Sequence, residues 1–185
     1  MPRLPQITEK KSLPEQHKGV IDYLVQTRGA VSHGYSVLLN SPDLAGRIAH
    51  TGSYVRFEST LPDRMRELAA LTASAEMGNL YERTIHTGDV EKLGVPQSTI
   101  DAIVHLQPLA ADVPPEDALP VHAARELLRV HELSQATFEE ARSQLGDQGV
   151  VDLIGNIGYY TMLACLHVGL GVTPPAPAQA PAAGA

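Results

Sequence analysis

The sequence has 185 residues, of which 43% are hydrophobic and 19% are charged, and its formal net charge is −7. These values indicate one globular domain with a sizeable core, rather than a disordered chain or several domains. The acidic balance and the lack of a basic stripe argue against a nucleic-acid partner. The single cysteine, Cys165, cannot form an intramolecular disulfide, which fits a reducing cytoplasm.

The apolar segments do not indicate export or membrane insertion. The N-terminal residues lack the apolar run of a signal peptide. The longest apolar stretch, 150–172, is interrupted by Asp152, Asn156 and His167 and by several glycines. These interruptions favour a buried helix over a membrane span. We therefore expect a cytoplasmic protein without a membrane partner.

Local start and stop signals predict helices along most of the chain. Gly29 ends a helix that begins near Pro14, and Ser41-Pro42 starts the next one. The longest apolar periodicity follows at 63–87. Further helices are predicted over 97–105, 116–133, 134–145 and 147–169.

No run alternates in the manner of a β-strand, so the predicted class is all-α. We expect a single-domain helical bundle over residues 1–172. Within it, residues 1–13 are polar, carry two prolines and are predicted to form an extended arm. Residues 173–185 are rich in proline and alanine and are predicted to be disordered.

The densest group of proton-carrying side chains lies within 63–87. Glu82 and His86 are four residues apart, so on a helix they share one face. A carboxylate there can accept a hydrogen bond from one imidazole nitrogen and leave the other free for chemistry. The same spacing is common on exposed helices, where it contributes only about 0.2–0.5 kcal/mol. Spacing alone leaves both readings open, a catalytic pair and an ordinary surface contact.

Glu67 and Asn79 share a sector of the helical wheel with this pair, and apolar residues line that sector. Apolar walls with a few converging polar groups are typical of a small-molecule pocket. On a straight helix, however, Glu67 and His86 would lie about 28 Å apart. Gly78-Asn79 can end one helix and cap the next, which would let the second fold back. The sequence therefore predicts that Glu67 reaches His86 only if the helix breaks there.

Three motifs surround this segment: Leu61-Pro62-x-Arg64-x-Arg66-Glu67-Leu68, Tyr81-Glu82-x-x-x-His86 and Gly94-Val95. With them the sequence resembles the carboxymuconolactone decarboxylase family, which includes the alkylhydroperoxidase-D-like (AhpD-like) proteins. The resemblance extends over nearly the whole ordered chain, through Arg28-Gly29, the run 38–44, Tyr54-x-Arg56-Phe57-Glu58, Glu126-Leu127-Leu128 and the run 149–160. It implies the all-α fold of that family and places the active site at 76–86.

The resemblance also bears on thiol chemistry. In the peroxidase branch of the family a Cys-x-x-Cys-x-x-x-His motif does the chemistry, helped by an upstream glutamate. Aligned by the histidine, Asn79 and Glu82 occupy the two cysteine positions here. Glu67 and His86 match the glutamate and the histidine. A disulfide relay needs two thiols within reach, so the sequence fits the decarboxylase branch better.

The decarboxylase branch implies a cofactor-independent, carboxy-lyase-like enzyme for a small-molecule substrate. His86, oriented by Glu82 or Glu67, would donate or accept a proton at the carbon next to a lactone or carbonyl group. Arginine suits bidentate carboxylate binding. The predicted substrate-binding residues are Arg56 or His33 for a carboxylate, together with Asn79, Tyr81 and Tyr160.

Several further expectations complete the sequence analysis. The scattered histidines show no metal-ligand spacing, so we predict no metal site, and His167 and Cys165 are expected to be core or interface residues. The resemblance implies a homo-oligomer, either a dimer, a trimer or a hexamer. Two other functions stay open: a peroxidase-related protein without the cysteine pair, and a non-catalytic oligomer that kept the fold.

Overall fold

The computed structural model of the protein describes residues 1–174. Within this range the chain forms helices and no strands, which confirms the predicted all-α class. The α-helices are α1 Lys18–Arg28, α2 His33–Leu38, α3 Pro42–Ser53, α4 Asp63–Glu76, α5 Leu80–Lys92, α6 Gln97–Val104, α7 Pro115–Arg125 and α8 Gln135–Leu170. Short 3₁₀ turns lie at Lys10–Ser12 and Glu15–His17, and π-helical turns at Tyr54–Glu58 and Glu126–Val130. Almost all of the predicted tail 173–185 lies outside the described residues.

Helix α4 is the centre of the bundle. It packs against α5, α6, α7 and α8, and nearly all of its residues from Met65 to Ala75 are buried. Four of them are alanines, whose small side chains let neighbouring helices approach closely. One face of α4 joins the large apolar cluster formed with α1, α2, α3 and α8, and another face joins a smaller cluster with α5 and α6.

The predicted break between the two halves of 63–87 is present. Gly78 has a φ of 66°, a conformation that glycine adopts without strain, and it separates α4 from α5. Asn79 is the N-cap of α5, because its side-chain oxygen accepts a hydrogen bond from the Glu82 backbone N–H at 3.3 Å. Helix α5 therefore folds back along α4, as the sequence allowed.

The π-helical turn Tyr54–Glu58 carries Arg56 and is held by α8. Asp152 of α8 accepts hydrogen bonds from the Tyr54 hydroxyl at 2.9 Å, and from the Thr60 N–H and hydroxyl at 2.9 and 2.8 Å. Burial alone would raise the pKa of Asp152, but these donors lower it overall. The carboxylate thus fixes both ends of the turn to α8.

Helix α8 contains a kink at the predicted helix end. Gly146 has φ 68° and ψ 178°, so 135–145 and 147–170 are two helical parts that differ in direction. By length and composition α8 is apolar enough to span a membrane, yet 56% of its most apolar window is buried inside the protein. A core helix shows the same features, and the cytoplasmic location stays a prediction.

The N-terminal arm lies against the bundle. The backbone N–H of Arg3 donates to the Leu170 carbonyl at 2.8 Å, and that of Ile7 donates to the Ser36 carbonyl at 2.7 Å. Leu13 at its end is buried in the main apolar cluster. These contacts bring the arm close to α2 and to the end of α8, which both border the cavity described next.

Candidate active site

A cavity of about 190 Å³ opens between α1, α2, α5, α8 and the π-helical turn. Its size suits a small organic molecule. The cavity is lined by Arg28, Ala30, Ser32, Gly34, Tyr35, Arg56, Tyr81, Glu82, Ile85, Tyr159, Tyr160, Leu163 and His167. Four of the predicted site residues are in this lining, namely Arg56, Tyr81, Glu82 and Tyr160.

Glu82 lies at the cavity wall between two imidazoles. Its Oε2 is 3.5 Å from His86 Nε2, and its Oε1 is 3.4 Å from His167 Nδ1. Only 8% of Glu82 is exposed, so its carboxylate meets the cavity and the two rings rather than bulk water. The helical spacing of Glu82 and His86 therefore marks a buried pair and not an ordinary surface contact.

The break at Gly78 brings Glu67 to His86. His86 Nδ1 and Glu67 Oε2 are 2.5 Å apart, across the α4–α5 contact. His86 is 1% exposed and does not border the cavity, so it connects the cavity-facing Glu82 to Glu67, which is not part of the cavity lining. Arg66 lies near the other carboxylate oxygen of Glu67, with its Nε 3.6 Å from Oε1.

The charges of Glu67 and His86 are set by the hydrogen bonds that join Glu67, His86 and Glu82. Burial would lower the pKa of His86, but the bonds to Glu67 and Glu82 outweigh it and raise the pKa to about 9. Burial would raise the pKa of Glu67, yet the hydrogen bond and charge of His86, followed by Arg66, lower it. At neutral pH His86 is therefore an imidazolium hydrogen-bonded to a Glu67 carboxylate.

Arg56 is a free cation at the cavity wall. Among the described residues its guanidinium has no hydrogen bond and no ion pair, and it stacks only over the ring of Phe57. Burial would lower its pKa, but the nearby Tyr160, Glu67 and Glu82 raise it. An arginine in this setting can hold a ligand carboxylate in bidentate fashion.

Tyr160 packs edge-on against His86, with ring centroids 4.6 Å apart. Its side chain is 2% exposed, and burial is the first cause of its raised pKa. Its hydroxyl has no hydrogen-bond partner within the part of the chain that the structure describes. Tyr160 therefore offers a neutral donor to the cavity beside the charge of Arg56.

Tyr35 and Tyr159 form a part of the cavity wall that the sequence did not predict. The hydroxyls of Tyr35 and Tyr159 are 3.2 Å apart, and the guanidinium of Arg28 lies 5.2 Å from the centre of the Tyr35 ring. Arg28 is fixed in turn by a 2.7 Å bond to the Ala49 carbonyl. Arg28 was noted in the sequence only as part of the family resemblance. The adjacent Tyr159 and Tyr160 both border the cavity.

Two predicted substrate-binding residues, Asn79 and His33, do not line the cavity, whereas His167, which was not predicted as a site residue, does. Asn79 is fully buried and acts as a helix cap, and His33 lies outside the lining, with its ring 5.9 Å from that of Tyr81. His167 is buried, as expected of a core residue, yet it also borders the cavity. Nothing in its sequence neighbourhood marked it, because its partners come from α5.

Three side chains have the composition of a cation site. Ligand atoms of Glu67, His86 and Asp89 lie within 4.8 Å of one another. His86 Nδ1 already holds a proton for Glu67, and the raised pKa means that a cation must displace that proton. The prediction of no metal site stays a prediction.

Residues 42–124, which include Arg56, Glu67, Glu82 and His86, match the sequence model of the carboxymuconolactone decarboxylase family. The match covers slightly less than half of the chain, and within it the sequence resembles that family. A search of curated proteins gives no match.

Solved structures with this fold include AhpD-like proteins. The AhpD core of a peroxidase-related protein from Ralstonia eutropha has a TM-score of 0.75 at 21% identity, over 95% of this chain and 93% of that one. A peroxidase-related protein from Silicibacter sp. gives 0.70 at 18%, over 95% and 94%. A variant of the debrominase Bmp8 in complex with 2,3,4-tribromopyrrole gives 0.68 at 15%, over 95% and 94%. At these identities the likeness shows the fold.

The two positions that align with the cysteines of the peroxidase branch lie at and near the start of α5. Asn79 caps α5 and Glu82 faces the cavity, so the two positions that would carry thiols hold a cap and a carboxylate. Cys165 is exposed and is not among the residues that border the cavity. The cavity therefore has proton-transfer groups and cations but no thiol in its lining.

Proposed function

We propose that the protein is a cofactor-independent enzyme of the carboxymuconolactone decarboxylase type. It would decarboxylate or isomerise a small carboxylic acid that also has a lactone or carbonyl group. One observation carries the proposal: a buried Glu82 carboxylate and an unpaired Arg56 cation border the same small cavity. The first can move a proton and the second can hold the substrate anion.

The roles follow from position. Glu82 is the group of the Glu67–His86–Glu82 row that meets the cavity, so we assign it the position next to the reacting carbon. His86 was predicted to exchange the proton with substrate itself, but it lies behind Glu82 at 3.5 Å. It supplies a positive charge and a proton reserve there, and Glu67 holds its ring through Nδ1.

Substrate binding falls to the opposite wall. Arg56 would bind a carboxylate, and the Tyr160 hydroxyl would donate to a carbonyl oxygen, where negative charge develops. Tyr160 is buried and Arg56 is half-buried, and the reduced contact with water strengthens such interactions. Tyr81 would contact the substrate as part of the lining, while Asn79 supports the site by capping α5.

The chemistry needs no group beyond these. In decarboxylation the bond between carbon and carboxylate breaks, CO₂ leaves, and the electron pair passes to the neighbouring carbonyl as an enolate. A proton from the Glu82–His86 pair then takes the vacated position on carbon. In isomerisation Glu82 accepts a proton from one carbon and returns it to another, with the same enolate between the two steps.

Turnover of a carboxymuconolactone tests the proposal, with CO₂ release and exchange of the α-proton in D₂O as two independent readouts. We expect Glu82→Gln to lower both rates by about 100-fold or more, the usual contribution of a general acid or base. Arg56→Gln is expected to raise KM chiefly, and the exposed Arg47→Gln is its matched control. Equal rates in wild type and Glu82→Gln, or no activity in wild type by either readout, would show the proposal to be wrong.

The peroxidase-related alternative has support only from the names of structural neighbours. Its one thiol, on Cys165, does not border the cavity. Thiol-dependent consumption of a hydroperoxide by wild type, lost in Cys165→Ser, would favour it. A third possibility, a non-catalytic protein, would be favoured by wild-type behaviour of both Glu82 and His86 variants in every assay.

We also propose a cytoplasmic location, which the single cysteine favours, and a homo-oligomer, as the family resemblance implies. An exposed apolar stripe on α8 supports it, since Val151 is 68% exposed and Met162 is 37% exposed in the single chain.

A further inference from the structure

His167 contacts two side chains that require opposite protonation of its ring. Its Nδ1 is 3.4 Å from Glu82 Oε1, which can only act as a hydrogen-bond acceptor when the carboxylate is ionised. The same Nδ1 is 3.5 Å from Asn79 Nδ2, which is a donor. The amide orientation of Asn79 is fixed, because its oxygen accepts the Glu82 N–H. An ionised Glu82 therefore favours a proton on Nδ1, whereas a protonated Glu82 favours a bare Nδ1.

We propose that His167 and Glu82 form a proton relay in which the charge of Glu82 selects the tautomer of His167. This inference rests on the proposed function and adds a second cavity-lining residue to its proton-transfer site. In the resting state Nδ1 carries the proton and Nε2 is a free base. Both states of the relay keep the imidazole neutral.

The second nitrogen of the ring lies against Gly34. A Cβ on Gly34 would be 2.8 Å from His167 Nε2, closer than such contacts occur in proteins. Gly34 and His167 both line the cavity, and because Gly34 has no side chain, no Cβ covers Nε2 on that side of the ring. In the proposed relay the substrate proton is transferred to this nitrogen.

The surroundings of the ring favour its neutral form. His167 is 2% exposed, and burial lowers its pKa, with a smaller raising effect from Glu82 and a lowering effect from His33. The edge of the Tyr81 ring packs against it, with centroids 5.2 Å apart. His86 lies on the other side of the Glu82 carboxylate. Glu82 and His33 are thus the charged or titratable groups that act on His167 from α5 and α2.

The step balances in atoms and charge. Nε2 of His167 takes the proton from the substrate carbon while Nδ1 gives its own proton to Glu82 Oε1. The imidazole ends neutral with the proton on Nε2, Glu82 ends protonated, and the substrate holds the negative charge as an enolate. Protonation of the carbanion that decarboxylation leaves behind starts from the other state of the relay, with Glu82 protonated and the ring proton on Nε2. It returns the site to the resting state, and one proton is taken up from water in each turnover.

The tautomer can be measured without substrate, from ¹⁵N shifts of the imidazole nitrogens in labelled protein. A His167→Gln spectrum assigns the signals, and the other histidines serve as internal references. We expect wild type at neutral pH to carry the proton on Nδ1 of His167. Glu82→Leu removes the acceptor and leaves the Asn79 donor, which is expected to move the proton to Nε2.

A second variant acts in the opposite direction. Asn79→Asp keeps the cap oxygen but removes the donor, so His167 is expected to keep its proton on Nδ1 even when the pH is lowered towards neutralisation of the carboxylates. A wild-type Nε2–H tautomer would overturn the relay, and so would an Asn79→Asp spectrum that favours Nε2–H. These readouts need no turnover, so an inactive wild type would contradict only the proposed function.

Kinetics give an independent check on the role of Nε2. Gly34→Ala places a methyl group against that nitrogen, and we expect turnover to fall by about 10-fold or more with little change in KM. Gly88→Ala is the control, because a Cβ there meets nothing within 4 Å. Equal turnover in the two variants would show that Nε2 takes no part in the reaction.

Discussion

Glu82 Oε2 lies 3.5 Å from His86 Nε2, and of these two residues only Glu82 borders the cavity. The histidine is enclosed by Glu67, Glu82 and the ring of Tyr160. Although α5 places both side chains on one face, the Glu82 carboxylate is at the cavity wall and the His86 imidazolium lies behind it.

The buried imidazolium makes the stability of the protein depend on pH. The folded-state pKa of His86 is raised from 6.5 to about 9, so its stabilising effect is complete below pH 6.5 and is lost as pH rises through about 9. We expect the difference in unfolding free energy between wild type and His86→Gln to shrink over this range, by on the order of 3 kcal/mol.

Urea denaturation at pH 6, 7.5 and 9.5 measures this difference. The His105→Gln variant, at an exposed position, is the control. A gap for His86→Gln that stays constant or widens towards pH 9.5 would contradict the assigned charge of His86.

Asp152 is expected to control the position of Arg56. Replacing it by alanine leaves the donors of Tyr54 and Thr60 without their acceptor and frees the turn that carries Arg56. We expect a loss of about 2 kcal/mol in unfolding free energy at pH 7, and weaker binding of a carboxylate ligand. Chemical denaturation and ligand titration measure the two effects.

Asp147→Ala is the matched control for Asp152→Ala. Asp147 is on the same helix but pairs with Arg142 at the surface, where an ion pair contributes little to stability. The lowered pKa of Asp152 also fixes the direction of the pH effect. Its contribution is present above the ordinary carboxyl pKa and is lost as pH falls through the lower folded-state value.

Gly52 is expected to be irreplaceable for a steric reason. It lies inside α3, and a Cβ there would collide with the hydroxyl of Tyr159, which borders the cavity. Gly52→Ala is expected to cost about 1–3 kcal/mol, as overpacking usually does. Gly88→Ala, in an open helical position, is expected to be neutral or stabilising by up to about 1 kcal/mol. Thermal unfolding of both variants decides whether Tyr159 is as closely confined as the structure indicates.

The apolar stripe on α8 is expected to mediate self-association. Val151 and Met162 lie on one face of the helix, with the open Gly158 between them. The double substitution Val151→Asp/Met162→Asp is expected to convert the oligomer into a monomer, as measured by light scattering after size exclusion. Val130→Asp is the control, since Val130 is 67% exposed outside α8. A wild-type mass equal to that of the monomer would rule out the homo-oligomer.

The sequence alone determined the local features that depend on near neighbours in the chain. The start at Pro42 and the ends at Gly29 and Gly146 come from backbone preferences that act over a few residues. The same preferences allowed the break at Gly78-Asn79 without requiring it. The family pattern added the identity of Glu67, Glu82 and His86 as a group. The i,i+4 spacing gave the common face of Glu82 and His86, because helix geometry fixes it.

Tertiary structure decided which of these groups meets the cavity. The fold of α5 onto α4 buries His86 against Glu67, while α8 brings His167 and the two adjacent tyrosines to Glu82 from more than seventy residues away in the chain. Long-range packing of this kind leaves no periodic signal in the sequence, since each partner satisfies only its own helix pattern locally. The residues of the site were therefore readable in part from sequence, whereas their depth, their charges and the contribution of His167 follow from how the helices pack.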